Sequence, residues 1–111
     1  MGRQGITVVS WNVRGLSDAI RRRRLKQELN DMEWDILILQ ETKLKGFLFR
    51  SFDLLFHDCI VVYSTLEEGR GVGSMVVKRH LRVVSSDVDR RGRWMWCDVD
   101  AGKEVWRVVN V

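Results

Sequence analysis

Two apolar segments separated by an amphipathic segment constrain the fold of this chain more than any other feature. Residues 6–11 and 36–39 are apolar on both faces for most of their length, which is typical of strands covered on both sides. Residues 19–32 carry apolar side chains at the spacing of one helical face, and Ser17 and Asp18 can cap such a helix. The pattern predicts two parallel strands joined by a helix in a right-handed crossover.

The rest of the chain consists of short apolar segments without a second long helical pattern. Residues 47–56 predict either an irregular stretch or a short helix that packs Phe49, Phe52 and Phe56 inward. Five later segments predict mainly antiparallel strands: residues 58–64, 73–77, 81–85, 94–99 and 105–111. The predicted fold class is therefore mixed, α/β at the start of the chain and α+β over the rest.

Charge and apolar content limit the partner and the environment of the protein. Its 111 residues allow one domain at most, and a net charge of +4 favours an anionic partner. No apolar run approaches the ~20 residues that span a bilayer, and the first residues lack the apolar stretch of a secretion signal. We expect an intracellular protein, nuclear or cytoplasmic and not secreted, without a membrane partner. Cys59 and Cys97 lie far apart in apolar segments and predict reduced core thiols.

Asn12 and Glu41 occupy equivalent positions in the predicted parallel pair, because each directly follows a strand. The carboxyl ends of parallel strands meet at one rim of a sheet, about 4.8 Å apart. An amide oxygen and a carboxylate at that rim suit Mg²⁺, which keeps much of its hydration and often holds substrate phosphate. Both residue types are also common in turns and caps, so a metal site and a plain turn are both open on chemistry alone.

The segments around these two residues resemble a known family. VVSWNVRGL, a basic helix and WDILILQETKL are similar to the start of the endonuclease/exonuclease/phosphatase family, and most similar to the apurinic-type endonuclease domain of non-LTR (LINE-like) retrotransposons. GRGVGSMVVKRHL resembles that family's glycine-containing strand, and VWRVVNV resembles a strand that continues into a Tyr-x-Pro turn. The resemblance implies the N-terminal half of a two-sheet α/β sandwich of the deoxyribonuclease I-like fold, with residues 1–111 as one truncated domain.

The resemblance implies roles for five residues. Asn12 matches the family's active-site asparagine, which helps to place the attacking water and the scissile phosphate, and Glu41 matches its metal-binding glutamate. The implied cofactor is Mg²⁺ or Mn²⁺, held at Glu41 and Asn12. Arg14 stands where the apurinic repair enzymes have an aspartate, and it either contacts phosphate or is solvated. Lys43 either approaches the substrate backbone or is a plain surface lysine, and Gln40 is expected to hydrogen-bond across the site.

The resemblance also implies which catalytic parts this chain does not contain. In the family, a tyrosine, an Asp-x-Asn turn and a closing Asp-His pair complete the catalytic set, and all would follow Val111. We therefore expect a remnant or fragment of a Mg²⁺-dependent phosphodiester-cleaving DNA endonuclease of retrotransposon type, inactive as an isolated chain. The alternatives are a non-catalytic basic nucleic-acid-binding or interaction remnant, and a phosphatase or lipid phosphodiesterase of the same fold. An uncovered sheet face is expected to promote self-association.

Other candidate residues have ordinary structural interpretations. His57 and His80 are expected to be surface or turn histidines, and the glycines of residues 69–73 precede a strand, unlike those of a phosphate-binding loop. Residues 21–24, all arginine, are expected on a solvated helix face, with nucleic-acid contact as the alternative. Asp98 and Asp100 are expected at the start of a hairpin turn. Three alternating tryptophans are expected in the core or between sheets, with base stacking as the alternative: Trp94, Trp96 and Trp106.

Overall fold

The described residues form seven strands, two α-helices and one 3₁₀ turn. The computed structural model of the protein describes residues 5–66 and 69–111. In chain order the elements are β1 (Val8–Asn12), α1 (Ala19–Asn30), β2 (Ile36–Gln40), the 3₁₀ turn (Gly46–Leu48), α2 (Phe49–Leu55), β3 (Cys59–Thr65), β4 (Gly71–Lys78), β5 (Arg82–Val88), β6 (Met95–Asp100) and β7 (Val105–Asn110). Each predicted strand is present, and residues 47–56 contain the short helix.

The strands form two sheets. One has the order β1-β2-β4-β3, with β1 and β2 parallel and the other neighbours antiparallel. The second has the order β5-β6-β7 and is antiparallel throughout. The parallel register places Val8 beside Ile36 and Asn12 beside Gln40. The predicted parallel pair and the mainly antiparallel later strands are therefore confirmed.

The four-stranded sheet is covered on both faces at β2 and β4. The expectation of a strand covered on both sides is wrong for β1, which is an edge strand with Val8 44% exposed. The outer face of the sheet packs against the two helices through one apolar cluster, which includes Leu25, Leu29, Leu37, Leu39, Phe52, Phe56 and Val76. Its inner face packs against the three-stranded sheet through a second cluster, which includes Ile36, Ile38, Met75, Val77, Met95, Cys97 and Val99. The layers are thus helices, four-stranded sheet and three-stranded sheet, which is part of the two-sheet sandwich that the resemblance implies.

Helix α1 follows the predicted pattern with two differences. Asp18 caps it, because its Oδ1 accepts a hydrogen bond of 2.8 Å from the backbone N–H of Ile20. The helix ends at Asn30, and Met32 is 44% exposed, so the predicted extension of the apolar face to residue 32 is wrong. Arg22 is buried with 7% of its surface exposed, so the expectation of a uniformly solvated arginine run is also wrong.

Helix α2 packs its aromatic side chains inward, as one of the two predictions for this segment proposed. Phe52 and Phe56 are fully buried, with ring centroids 5.0 Å apart. Phe49 stacks on Tyr63 of β3 with a centroid distance of 4.3 Å. None of the helices in the described ranges is long and apolar enough to cross a membrane.

Strand β6 alternates between apolar side chains that face inward and aromatic or acidic side chains that face outward. Met95, Cys97 and Val99 are the buried residues of β6, so the alternation along the strand puts Trp96 on the outer face. There the guanidinium carbon of Arg107 lies 3.8 Å from the ring centroid of Trp96. Trp106 is 52% exposed. The expectation that these tryptophans fill the core or the inter-sheet space is therefore wrong for Trp96. Trp106 pairs with the buried Val99 and so lies on the inner face, where about half of its surface stays exposed.

Both cysteines are buried free thiols, as predicted. Burial raises the pKa of Cys59 to about 11, and it does the same for the pKa of Cys97. Because a thiolate is the reactive form of cysteine, both side chains are unreactive core residues near neutral pH.

An edge strand with exposed apolar side chains leads us to expect self-association. β7 pairs only with β6 among the described strands, and its Val105 and Val109 are 60% and 49% exposed. Such edges favour pairing with another chain, and a lysine on the edge opposes it. Sedimentation velocity is expected to show concentration-dependent association that weakens in Val109→Lys. A monodisperse monomer across the same concentrations would contradict this expectation.

Candidate functional site

Asn12 and Glu41 meet at the carboxyl end of the parallel pair. β1 ends at Asn12 and β2 ends at Gln40, with those two residues side by side in the register, and Glu41 follows at once. Nδ2 of Asn12 donates a hydrogen bond to Oε2 of Glu41. Both residues are exposed, so this rim of the sheet is open to solvent.

The rim has an unusual backbone. Arg14, Glu41 and Lys43 have φ angles of 50°, 53° and 51°, in the left-handed region that side chains other than glycine rarely adopt. Each such residue costs about 1–2 kcal/mol, and residues of this kind cluster at functional sites. The loop backbone holds them in place, since the N–H of Gly15 donates to the Glu41 carbonyl at 2.6 Å and that of Leu16 donates to the Thr42 carbonyl at 2.7 Å.

The amide of Asn12 is held at both of its ends. Its Oδ1 accepts a hydrogen bond of 3.2 Å from the N–H of Arg14, while its Nδ2 donates to Glu41. The sequence predicts both side chains as metal ligands, but in this orientation the carboxylate of Glu41 is the group that offers free oxygen lone pairs. The hydrogen bond from Asn12 Nδ2 orients that carboxylate.

The donor set suits a weakly coordinated hard cation. Within residues 5–66 and 69–111 no group of three or more histidine, cysteine, aspartate or glutamate side chains could enclose a metal ion. Mg²⁺ needs no such enclosure, because it keeps several waters and binds through one or two carboxylates together with substrate phosphate. One oriented carboxylate on an exposed rim therefore fits Mg²⁺ and does not fit a tightly enclosed ion such as structural Zn²⁺.

Gln40 and Asn110 connect the rim to the second sheet. Nε2 of Gln40 donates to Ser10 Oγ at 3.0 Å and to Asn110 Oδ1 at 3.2 Å. Nδ2 of Asn110, a 5% exposed residue of β7, donates to the Leu39 carbonyl at 3.0 Å. Sequence reasoning missed Asn110. The sequence shows only a polar residue near the end of an apolar segment, and this does not reveal whether the side chain is buried.

Replacement of Asn110 by alanine is expected to lower the free energy of unfolding by about 1–3 kcal/mol, because the buried Leu39 carbonyl and the Gln40 amide each lose a partner. Urea unfolding followed by tryptophan fluorescence measures the loss. The control is Asn30→Ala, which changes an exposed residue at the end of α1 and is expected to have a small effect. Equal losses in the two variants would contradict a linking role for Asn110.

Arg14 and Lys43 are exposed cations in the two segments that form the rim. The Lys43 side chain lies over the β1–α1 loop, since a Cβ placed on Gly15 would be 3.7 Å from Lys43 Cδ. The Lys43 carbonyl accepts a hydrogen bond of 3.1 Å from Ser17 Oγ. The rim therefore combines one carboxylate with two exposed positive charges.

Neither histidine lies at this rim. His80 Nε2 is 2.9 Å from Oδ1 of Asp35, the residue that precedes β2 and so lies at the opposite end of that strand from Glu41. His57 is an exposed residue after α2.

Asp98 and Asp100 are the outward-facing residues at the end of β6, and Asp100 directly precedes the β6–β7 hairpin turn, as predicted. The hydrogen bond from Arg107 lowers the pKa of Asp98, and the hydrogen bond from the N–H of Gly102 lowers that of Asp100. These carboxylates are therefore parts of surface ion pairs on the outer face of the second sheet.

Comparison with known families gives one match over nearly the whole chain. The model of the endonuclease/exonuclease/phosphatase family matches residues 9–110. A search of curated proteins finds no significant match.

Solved structures share the fold of this chain. TDP2 from D. rerio, complexed with a single-strand DNA product, has a TM-score of 0.74 and 19% identity, covering 94% of this chain and 44% of that chain. The 3′ phosphatase NExo from Neisseria, bound to a product DNA hairpin, has a TM-score of 0.70 and 25% identity, covering 96% and 41%. The catalytic domain of Xenopus laevis APE2 has a TM-score of 0.68 and 20% identity, covering 94% and 44%. This chain spans less than half the length of each of these proteins.

Proposed function

Because this chain belongs to the endonuclease/exonuclease/phosphatase family, we propose that it forms the metal-binding and phosphate-binding half of a Mg²⁺-dependent DNA endonuclease of the non-LTR retrotransposon type. The observation that carries this proposal is the hydrogen bond between Asn12 and Glu41 at an exposed rim with left-handed backbone. An oriented carboxylate at such a rim is suited to a hydrated divalent cation and a phosphodiester.

DNA is the proposed substrate class for two reasons. Two structural neighbours are described with DNA, TDP2 with a single-strand product and NExo with a product hairpin. The net charge of +4 favours a polyanion. The retrotransposon type is proposed from the segments VVSWNVRGL and WDILILQETKL, which resemble that branch.

Each rim residue has a proposed task. Glu41 holds the cation, and Asn12 fixes the carboxylate by donating to its Oε2. When bound, Mg²⁺ neutralises charge on the phosphate and so stabilises the transition state of its hydrolysis. Arg14 and Lys43, both exposed beside the carboxylate, attract the phosphate backbone and hold it against the rim. Gln40 supports the rim from β2 through its bonds to Ser10 and Asn110.

The isolated polypeptide has a second proposed role, as a basic nucleic-acid binder that does not cleave. The observation that favours it is the position of both histidines away from Glu41, which leaves the rim without the histidine that the family uses to activate water. This role requires DNA binding that weakens steeply with salt, because phosphate contacts release counterions.

Metal binding at the rim tests the proposal. Mn²⁺ added to the ¹⁵N-labelled polypeptide is expected to broaden the amide signals of residues 12–16 and 41–43 selectively. Glu41→Gln is expected to abolish this broadening, since a neutral amide is a poor cation ligand. The control is Glu104→Gln, which removes an exposed carboxylate from the β6–β7 turn and is expected to leave the broadening unchanged. Equal broadening in wild type and Glu41→Gln would overturn the proposed metal site.

Substrate profiling separates DNA from lipid phosphodiesters of the same fold class. Filter binding to DNA and co-sedimentation with phosphoinositide or sphingomyelin vesicles are compared at one ionic strength. Retention on DNA with little vesicle binding is expected. Preferential vesicle binding would favour a lipid phosphodiesterase ancestor.

A further inference from the structure

The loop between β1 and α1 has its backbone donors and acceptors satisfied from two different directions. On one side, the N–H groups of Gly15 and Leu16 donate to the carbonyls of Glu41 and Thr42. On the other side, arginine side chains of α1 donate to the loop carbonyls. The loop is therefore held between the segment that follows β2 and the first turn of the helix.

Two guanidinium groups donate hydrogen bonds to all four carbonyls of residues 14–17. Nη1 of Arg21 donates to the Arg14 carbonyl at 3.0 Å and to the Gly15 carbonyl at 3.4 Å. Nη1 of Arg22 donates to the Leu16 carbonyl at 2.7 Å and to the Ser17 carbonyl at 2.8 Å. The Arg22 bonds are the shorter pair, and the bond to Leu16 is buried.

Arg22 is placed where a helix of this kind normally carries an apolar residue. It is 7% exposed and lies on the buried face of α1 with Leu25 and Leu29. Within the described part of the chain its charge is not paired with a carboxylate, and its hydrogen bonds go to the two loop carbonyls. Burial of an arginine without a counter-ion costs stability, so packing alone does not explain its presence.

We propose that Arg22, assisted by Arg21, is a positioning residue that holds the β1–α1 loop in its left-handed turn and thereby aims the Asn12 amide at Glu41. The connection is direct, since the N–H of Arg14 in this turn donates to Asn12 Oδ1 and leaves Nδ2 to face the carboxylate. The effect of the oriented Asn12 amide on cation binding rests on the proposed function. The loop contacts themselves do not depend on a metal.

Loss of the guanidinium releases one side of the loop. The carbonyls of Leu16 and Ser17 then lack their donor, and the turn at Arg14 and Gly15 is held by the weaker Arg21 contacts and by the bonds to the carbonyls of Glu41 and Thr42. Asn12 loses the fixed N–H that defines which end of its amide points to Glu41. When this orientation is lost, the affinity for a divalent cation is expected to fall, although Arg22 does not contact the carboxylate.

Backbone hydrogen exchange by NMR, combined with Mn²⁺ titration, tests this inference in three variants. In Arg22→Gln the N–H groups of Gly15 and Leu16 are expected to exchange about tenfold faster or more than in wild type, which corresponds to ~1.4 kcal/mol of local stability. Arg22→Lys, which keeps a donor of similar reach, is expected to restore part of the protection. Arg24→Gln removes the same charge from an exposed position of the same helix and is the matched control.

Two further readouts separate positioning from general destabilisation. Exchange at Val76, a fully buried residue in the centre of β4, reports global opening and is expected to change little. If Val76 also exchanges fast in Arg22→Gln, that variant is globally destabilised. The exchange rates of Gly15 and Leu16 in Arg22→Lys are then compared with those in wild type. The Mn²⁺ concentration for half-maximal broadening at residues 12–16 is expected to rise in Arg22→Gln, to recover partly in Arg22→Lys and to stay unchanged in Arg24→Gln.

The inference is overturned if Gly15 and Leu16 exchange at the same rate in Arg22→Gln and Arg24→Gln after normalisation to Val76. It is equally overturned if exchange rises in Arg22→Gln but the Mn²⁺ midpoint matches that of wild type. Failure of the proposed function gives a different result, which is the lack of selective broadening in wild type. In that case the exchange rates still decide whether the arginines hold the loop.

Discussion

Replacement of Glu41 by glutamine is expected to lower Mg²⁺-dependent DNA nicking about 100-fold or more, in a polypeptide that joins this chain to the second half of a family member. The carboxylate is the proposed cation ligand at the rim, and loss of one charged group that stabilises the transition state typically costs 10²–10³ in rate, roughly 3–4 kcal/mol. Conversion of supercoiled plasmid to the open circle, followed over time, measures the rate.

Two controls accompany this experiment. Glu104→Gln changes an exposed carboxylate far along the chain from the rim and is expected to leave nicking unchanged. The 111-residue polypeptide without a second half is expected to nick no faster than its own Glu41→Gln variant. Unchanged nicking in the joined Glu41→Gln protein would refute the role of Glu41, and clear nicking by the isolated wild-type chain would refute its inactivity.

Replacement of Phe52 by alanine is expected to lower the free energy of unfolding by about 3–5 kcal/mol. The ring is fully buried between α2 and the four-stranded sheet, where its centroid lies 5.0 Å from that of Phe56 and 6.2 Å from that of Tyr63. Removal of the ring leaves a cavity that the surrounding aromatic side chains fill only in part. Urea unfolding followed by tryptophan fluorescence reports the loss.

Leu54→Ala on the same helix is the matched control, because Leu54 is 66% exposed and its replacement is expected to cost about 0.5 kcal/mol or less. Phe52→Leu is a milder probe if the alanine variant does not fold, and its loss is expected to fall between the other two. Similar losses at Phe52 and Leu54 would show that α2 does not anchor the core.

The secondary structure was largely predictable because the apolar pattern is regular where the sheet is buried. Residues 36–39 are continuously apolar, and β2 is covered by helices on one face and by the second sheet on the other. The pattern was less informative at half-covered places. Alternation along β6 does not reveal which face is inward, so the pattern alone predicts the wrong face for Trp96.

Only the part of the candidate site that follows from strand pairing could be predicted from the sequence. Parallel pairing alone brings Asn12 and Glu41 to one rim, and the structure has them in contact. The contacts of Gln40 with Asn110 and of Arg22 with the loop carbonyls depend on tertiary packing. A polar residue in a strand and an arginine in a basic helix look the same in sequence whether they are buried or solvated, so neither could be identified beforehand.

At Arg14 and Lys43 the left-handed backbone brings thermal stability and the proposed function into conflict. Glycine or asparagine at these positions would relieve about 1–2 kcal/mol of conformational strain each. A library selected only for survival at high temperature is therefore expected to accumulate those residues at the rim. Such variants would refold more robustly while losing the cations that we propose bind phosphate, so a screen for stability would select against the proposed site.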